Sequence, residues 1–318
     1  MSIEPSSSLC RPPTPGELLQ DRLFRGLTLC CAWATIALVV FIVYQIVSTA
    51  APSIGKHGLK FLTSSEWNAS KQEFGILPPI WGTIYSSVLG VALGSVFGVA
   101  VAIFLTQNFL PPRWGVVLKN VIELLAAIPS VVYGLWGIFV VIPTIRPAAN
   151  WLHARLGWLP IFDTPLSGPG LLPAALVLAI MVLPTVTAIA RDSLASVNPR
   201  LREAAFGLGA TRWETILGVV VPTASRGIYG GIILAFGRAL GETMALAMLV
   251  GNANTLTWSV FAPANTLAAL LANQFPEAGH VEVSALMYAA LVLLAITLAV
   301  NVIGTLILMR ASRKEGKR

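Results

Sequence analysis

Two ionisable residues stand inside an apolar run. Arg238 and Glu242 fall within Gly227–Val250, a stretch that reads as a membrane span. Arg238 is about eleven residues from either end of it, near the bilayer centre at about 1.5 Å of rise per residue. An ionised side chain at that depth costs on the order of 3 kcal/mol, so it marks an ion path or has a partner. Glu242 is four residues on, and the i, i+4 spacing predicts that both share a helix face. A guanidinium fork matches the geometry of a phosphate-like oxyanion. A nearby carboxylate would weaken its hold on an anion that must be released. Two readings stand side by side: a substrate path through Arg238 and Glu242, or an ion pair that locks this helix to its neighbours. No other constellation suggests chemistry. His57, His153 and His280 are scattered outside the spans, and nothing reads as a metal site or a nucleophile–base pair. There is no G-x-x-x-x-G-K-[ST], hence no P-loop. The chain is therefore expected to be no enzyme and to hold no cofactor. ATP-driven work would need a partner that binds ATP and Mg.

The longest patterned polar interruption is Glu203–Pro222, EAAFGLGATRWETILGVVVP. Asn198–Pro199 can start a helix, with Asn as N-cap and Pro at the first helical position. Glu203 falls in the early turns, where negative charge suits the helix dipole. Gly207 and Gly209 permit a sharp turn. Thr211 with Glu214 three residues on reads as a capping box opening a second helix.

These features have to be positioned by a membrane bundle. Of 318 residues, 56% are hydrophobic and 11% charged, against about 25% charged in soluble domains. The mean hydropathy is +0.78. The pattern is all-α and polytopic, with six transmembrane helices. The net charge of +7 follows the membrane in its placement and is no nucleic-acid footprint. Cys10, Cys30 and Cys31 imply no disulfide framework.

Taken in order, residues 1–25 read as a polar tail, mostly disordered, with a helix possible from Glu17. The first span is 26–50. Ser48–Ala50 resembles a signal-cleavage site, but the apolar core is longer than that of a signal peptide, so the segment reads as an uncleaved anchor. An external loop covers 51–79, and the main membrane core 80–309. The second span, Ile80–Thr106, carries Ser86, Gly90, Gly94, Gly98 and Ala102 four apart. This small-residue face predicts a close helix neighbour, in this chain or another. The third span, Val116–Ile142, contains Pro129, expected to kink it. The kink, with Tyr133 beside it, is a candidate path lining, as discontinuous helices often are, or a plain structural bend. Residues 143–170 read as external, 171–190 as the fourth span with Pro184 inside, and 191–226 as the inner loop. The fifth span is 227–250, and 251–284 is external, with Leu267, Leu270, Leu271 and Phe275 on one face of a short interfacial helix. The sixth span is 285–309, and 310–318 is a basic tail. Counting every Lys and Arg but Arg238, with Lys119 taken at the inner end of its span, places fifteen on the side of the termini and five on the other. This predicts both termini in the cytoplasm.

The Glu203-Ala204-Ala205, Gly209 and Pro222 pattern resembles the EAA loop of permease subunits in ATP-binding-cassette (ABC) importers. There the loop forms two angled short helices that dock on the ATPase. Leu124–Gly137 (LLAAIPSVVYGLWG), Pro184–Leu194 (PTVTAIARDSL), Gly237–Leu246 (GRALGETMAL) and the stretch Gly251–Phe275 resemble the PstC-type permeases of phosphate importers, and the likeness covers Phe74–Met309. The resemblance implies an ABC importer type I permease fold in an inner membrane, with a PstA-like second permease, a PstB-like ATPase dimer and a PstS-like phosphate-binding protein as partners. It also implies membrane lipid around the spans. The rival readings are a permease for another oxyanion, an ion-coupled secondary transporter with Arg238 and Glu242 as a proton relay, and a membrane signalling subunit.

Overall fold

The computed structural model describes residues 14–107, 109 and 111–315, with backbone only for 310–315. The expected tail therefore lies outside the described residues from Met1 to Pro13, as do Gly316–Arg318 of the basic tail. The helices are α1 (Pro15–His57), α2 (Lys60–Thr63), α3 (Leu77–Thr106), α4 (Pro112–Ala127), α5 (Ser130–Trp136), α6 (Ile142–Leu156), α7 (Leu171–Ala195), α8 (Pro199–Gly207), α9 (Arg212–Thr215), α10 (Val221–Leu240), α11 (Met244–Leu249), α12 (Leu267–Gln274) and α13 (His280–Glu315). A two-stranded antiparallel hairpin pairs β1 (Trp67–Asn68) with β2 (Glu73–Phe74). Among the described residues, six helical runs are long and apolar enough to cross a membrane. The chain divides into two units, Met1–Thr49 and Ala50–Arg318. The described part of the first is the N-terminal stretch of α1, helical from Pro15, so the residues up to Arg25 are not an unstructured tail there. All further description concerns the second unit.

Its core is α3 against α7. Ser86, Gly90, Gly94, Gly98 and Ala102 are all buried, and their neighbour is α7 of the same chain. A Cβ on Gly90 would come within 2.9 Å of Leu178, one on Gly94 within 2.5 Å of Val182, and one on Gly98 within 3.0 Å of Val186. Without Cβ atoms the backbones approach closely and gain dispersion contacts, the main attraction available between helices in lipid. Thr187 Oγ1 donates to the Gly98 carbonyl across this seam at 3.2 Å.

The first span, expected at 26–50, lies within a helix that runs from Pro15 to His57, and two further spans differ from the expected bounds. The third does not run Val116–Ile142. It breaks at Ile128–Pro129, leaving α4 as a separate helix, and the membrane-length run is Ser130–Leu156. Residues 143–156, expected outside, belong to it. The fifth does not run Gly227–Val250. It begins at Arg212, in the loop itself, and ends at Leu240. In both cases a proline meets a π turn. The turn Gly137–Val141 precedes Pro143, and Ile216–Val220 precedes Pro222. A proline ring clashes with the carbonyl four residues back, and the wider π turn gives that carbonyl room. The helix therefore passes each proline instead of stopping.

The segment expected at the membrane interface is interior. Leu267, Ala268, Ala269 and Leu270 of α12 are buried, and the Leu267 amide donates to Thr83 Oγ1 of α3 at 2.9 Å. Of the face that periodicity indicates, Leu267, Leu270 and Leu271 pack on protein instead of lipid, whereas Phe275 lies beyond α12 and is exposed. Phe61 and Phe74 join this end, with Phe61 stacked on Tyr288 of α13 at 4.4 Å.

Candidate functional site

Two helix breaks lie side by side within the bundle. The first is Pro129, which stands before α5 as its N-cap. A residue with an N–H at this position could have bonded the Leu125 carbonyl in a continuous helix; proline cannot. Tyr133 takes that place: its hydroxyl donates to the Leu125 carbonyl at 2.8 Å, and the ring is 5% exposed. An unpaired carbonyl in an apolar setting is costly, so Tyr133 is what makes the break tolerable. The second break is at Gly241. The Gly241 and Glu242 amides bond back to Arg238 and Ala239 three residues earlier, at 3.2 and 3.3 Å, which tightens the last turn of α10 and ends it. The two broken helices pack together. A Cβ on Gly134 of α5 would sit 2.6 Å from Met248 Sδ of α11, and one on Gly137 2.6 Å from Leu249.

Arg238 and Glu242 do not share a helix face as their spacing predicts. α10 stops at Leu240, so the i, i+4 register is lost between them. Among the described residues the ion pairs are Lys119–Glu123 and Arg191–Asp192; Arg238 and Glu242 form none with each other. Arg238 occupies the last turn of α10, where a cation suits the helix dipole. It is exposed, Glu242 is half-buried, and the Arg238 charge lies within electrostatic reach of Tyr133. Behind it Gly237 lets α13 close in, since a Cβ there would lie 2.7 Å from Asn301 Oδ1. The break thus brings Pro129, Tyr133 and Arg238 to one region, with the guanidinium on the open face.

The polar loop folds as its residues suggest. Asn198 Oδ1 accepts from the Arg200 amide at 3.0 Å, and Pro199 opens α8. Glu203 and Ala204 are exposed, and Ala205 is turned inward. Gly209 has φ +86°. The Gly209 amide bonds Phe206 O and the Ala210 amide bonds Ala205 O, both at 3.0 Å. This is a Schellman ending, which places a left-handed residue at the position after the cap and so favours glycine. Thr211 and Glu214 form the capping box of α9. Pro222 sits in the first turn of α10. Arg212 fastens α9 to the end of α3: its guanidinium donates to the Gln107 carbonyl and lies 4.1 Å from the Phe109 ring centroid.

Residues 90–314 match the family described as binding-protein-dependent transport system inner membrane component. The chain belongs to this family. It is 38% identical over 304 residues to the phosphate transport system permease protein PstC of Mesorhizobium japonicum, covering 94% of this chain and 93% of that one. It is 39% identical over 293 residues to PstC of Xylella fastidiosa strain Temecula1, covering 88% and 90%. Among solved structures it resembles a chain of the bacterial alginate ABC transporter (TM-score 0.61, 14% identity, 90% of this chain and 95% of that one). It also resembles a chain of the MetNI methionine ABC transporter in an inward-facing conformation (TM-score 0.55, 16% identity, 74% and 95%). These likenesses show the fold, an ABC importer permease bundle, and the family places it in the inner membrane as a multi-pass protein.

Sequence reasoning missed one feature of this permease. Leu201, Phe206, Leu208, Trp213 and Leu217 are exposed on and beside the loop, and Leu208 is 90% exposed. The signal was available as bulky apolar residues inside a polar interruption, a pattern that marks an interaction surface.

Two variants test this geometry. Tyr133→Phe should leave the Leu125 carbonyl unpaired and lower stability by about 1–3 kcal/mol, read as a lower thermal midpoint of the purified complex; an unchanged midpoint would show that another group satisfies that carbonyl. Gly209→Val forces a β-branched residue into left-handed backbone at about 1–3 kcal/mol. Uptake by the assembled complex should fall while the protein stays in the membrane, whereas Gly207→Ala, which has open space, should leave it unchanged. Equal uptake in both variants would show that the left-handed turn is not needed for transport.

Proposed function

We propose that the chain is the PstC-like permease subunit of an ATP-driven importer of inorganic phosphate. The observation that carries this reading is the 38–40% identity to permeases named for phosphate transport, over 88–94% of the chain. A PstA-like permease would complete the translocation path, a PstB-like ATPase dimer would bind ATP and Mg, and a PstS-like protein would deliver the anion.

Arg238 supports an anion path. Its charge stands on an open face of the bundle beside two helix breaks, without a carboxylate partner among the described residues. Such a group in a membrane is expected to face water, a partner subunit or the anion itself. Glu242 is half-buried beyond the break, close enough in sequence to tune the field there. In this reading Pro129 and Tyr133 hold the break open and do not contact the anion first.

The loop supports ATPase coupling. Glu203, Ala204, Ala205, Gly209 and Pro222 build the turn, and Leu208 with Phe206 and Trp213 would be the apolar contact with the ATPase. From Arg212 to Leu240 the chain is one helical run of 29 residues, about 43 Å at 1.5 Å per residue. A push on the loop would travel along that run to its last turn, which carries Arg238. No relay of protons between Arg238 and Glu242 is needed, and the separation of the two weakens the secondary-transporter reading.

Phosphate uptake by the reconstituted complex, normalised to assembly, tests the path. Arg238→Met removes a charge-assisted contact of about 1.5–3 kcal/mol and should slow uptake about ten- to hundredfold, with assembly intact. Adding Glu242→Leu should not restore it, since the two residues are not paired. Near-normal uptake by Arg238→Met, or rescue by the second change, would overturn the path role. Orientation follows from the charge count. In intact cells and a cysteine-free background, Glu277→Cys should react with impermeant thiol reagents and Arg200→Cys should not. The reverse pattern would invert the topology.

A further inference from the structure

A cavity of about 200 Å³ lies between the coupling loop and the end of α3, lined by Gln107, Arg202, Phe206, Arg212, Thr215 and Ile216. Its lining holds two guanidinium groups and no carboxylate. Arg202 Nε and Thr215 Oγ1 are both buried, and neither has a hydrogen-bond partner among the described residues; Thr215 is 2% exposed. Buried polar atoms are almost always paired, so two orphans on one cavity point to a missing partner. Ile216, buried, forms an apolar wall, and Phe206, half exposed, stands at the rim. The space equals the share of several waters at about 30 Å³ each, enough for a tetrahedral oxyanion and part of its hydration.

We propose that this cavity binds a small phosphate-type oxyanion on the coupling-loop side of the membrane. Guanidinium N–H groups and a hydroxyl are the donors such an anion takes, and an apolar wall strengthens their hold by excluding water. The bound anion ties Arg202 of α8 to Arg212 and Thr215 of α9, while Arg212 already holds the Gln107 carbonyl at the end of α3. It therefore stiffens the loop that must move during coupling, and slows import as anion accumulates on that side. The regulatory part rests on the importer reading given above; the binding part does not. The same chemistry is offered by free phosphate and by the headgroup of an anionic lipid at the membrane surface.

The test is hydrogen exchange of the amides of residues 199–216 in the assembled permease–ATPase complex, in phosphatidylcholine nanodiscs. Inorganic phosphate is compared with chloride at equal ionic strength. At a phosphate concentration about ten times the dissociation constant, protection should rise about tenfold. Arg202→Gln should abolish the rise, and Thr215→Val should weaken it. Since Arg202 Nε has no internal partner, the first variant breaks no hydrogen bond made by that atom, and unchanged exchange elsewhere verifies its fold. Nanodiscs containing phosphatidylglycerol without free phosphate identify the source: protection there assigns a lipid headgroup, and protection only with added phosphate assigns the free ion. No protection in either arm, or protection that persists in both variants, overturns the site. Uptake by the same complex reconstituted in proteoliposomes separates the two proposals. Phosphate transport without Arg202-dependent protection rejects this site alone, and protection without phosphate transport supports the site and counts against the importer reading.

Discussion

In an apolar solvent every backbone N–H and C=O must find its partner inside the protein, and this permease is arranged around the places where that is difficult. Pro129 cannot bond the Leu125 carbonyl, and Tyr133 supplies the hydrogen bond from one turn further on. Gly241 ends α10 with tightened three-residue bonds in place of four-residue ones. Each break is satisfied locally, and α5 with the π turn after it packs on α11 through Gly134 and Gly137, while Pro129 and Gly241 themselves are exposed. Irregular backbone at membrane depth is tolerated where protein encloses it or where it lines a cavity. That constraint suits Arg238, which stands in the last turn of α10, at a break instead of in the middle of the helix.

The π turns answer the same constraint differently. Before Pro143 and Pro222 the helix widens by one residue and continues. At Pro222 the result is continuity: the second helix of the polar loop and the membrane helix are one run. A broken helix there would have let the loop move without moving the span. The loop end is held by the Schellman turn at Gly209, the capping box of Thr211 and Glu214, and the grip of Arg212 on the end of α3. Rigid elements joined by defined turns can pass a displacement on; a flexible connection would dissipate it.

Against this stands the rigid seam of α3 and α7. Its glycines leave no space for a side chain, so the two helices move as a unit. The exposed groups lie elsewhere: Arg238 on the bundle, and Leu208, Phe206 and Trp213 at the loop. A bundle with a close-packed centre and charged and bulky apolar groups on its open faces is suited to packing between partners.

The sequence by itself determined the elements whose causes are local. Asn198–Pro199, Gly209 and Thr211 with Glu214 specify the loop through caps and a left-handed turn, which depend only on near neighbours. Long apolar runs specified the number of spans, because hydropathy responds to length and composition alone. The spacing of Ser86, Gly90, Gly94, Gly98 and Ala102 indicated a close neighbour, but only the tertiary structure decided that it is α7. Where the third and fifth spans begin and end was also beyond the sequence. Whether a proline breaks a helix, as at Pro129, or is passed by a π turn, as at Pro222, depends on what packs around it and what can satisfy the freed carbonyl. The relation of Arg238 to Glu242 followed from that choice. A four-residue spacing brings two side chains together only if the helix continues through both, and the end of α10 at Leu240 is set by how α10 and α11 pack against their neighbours.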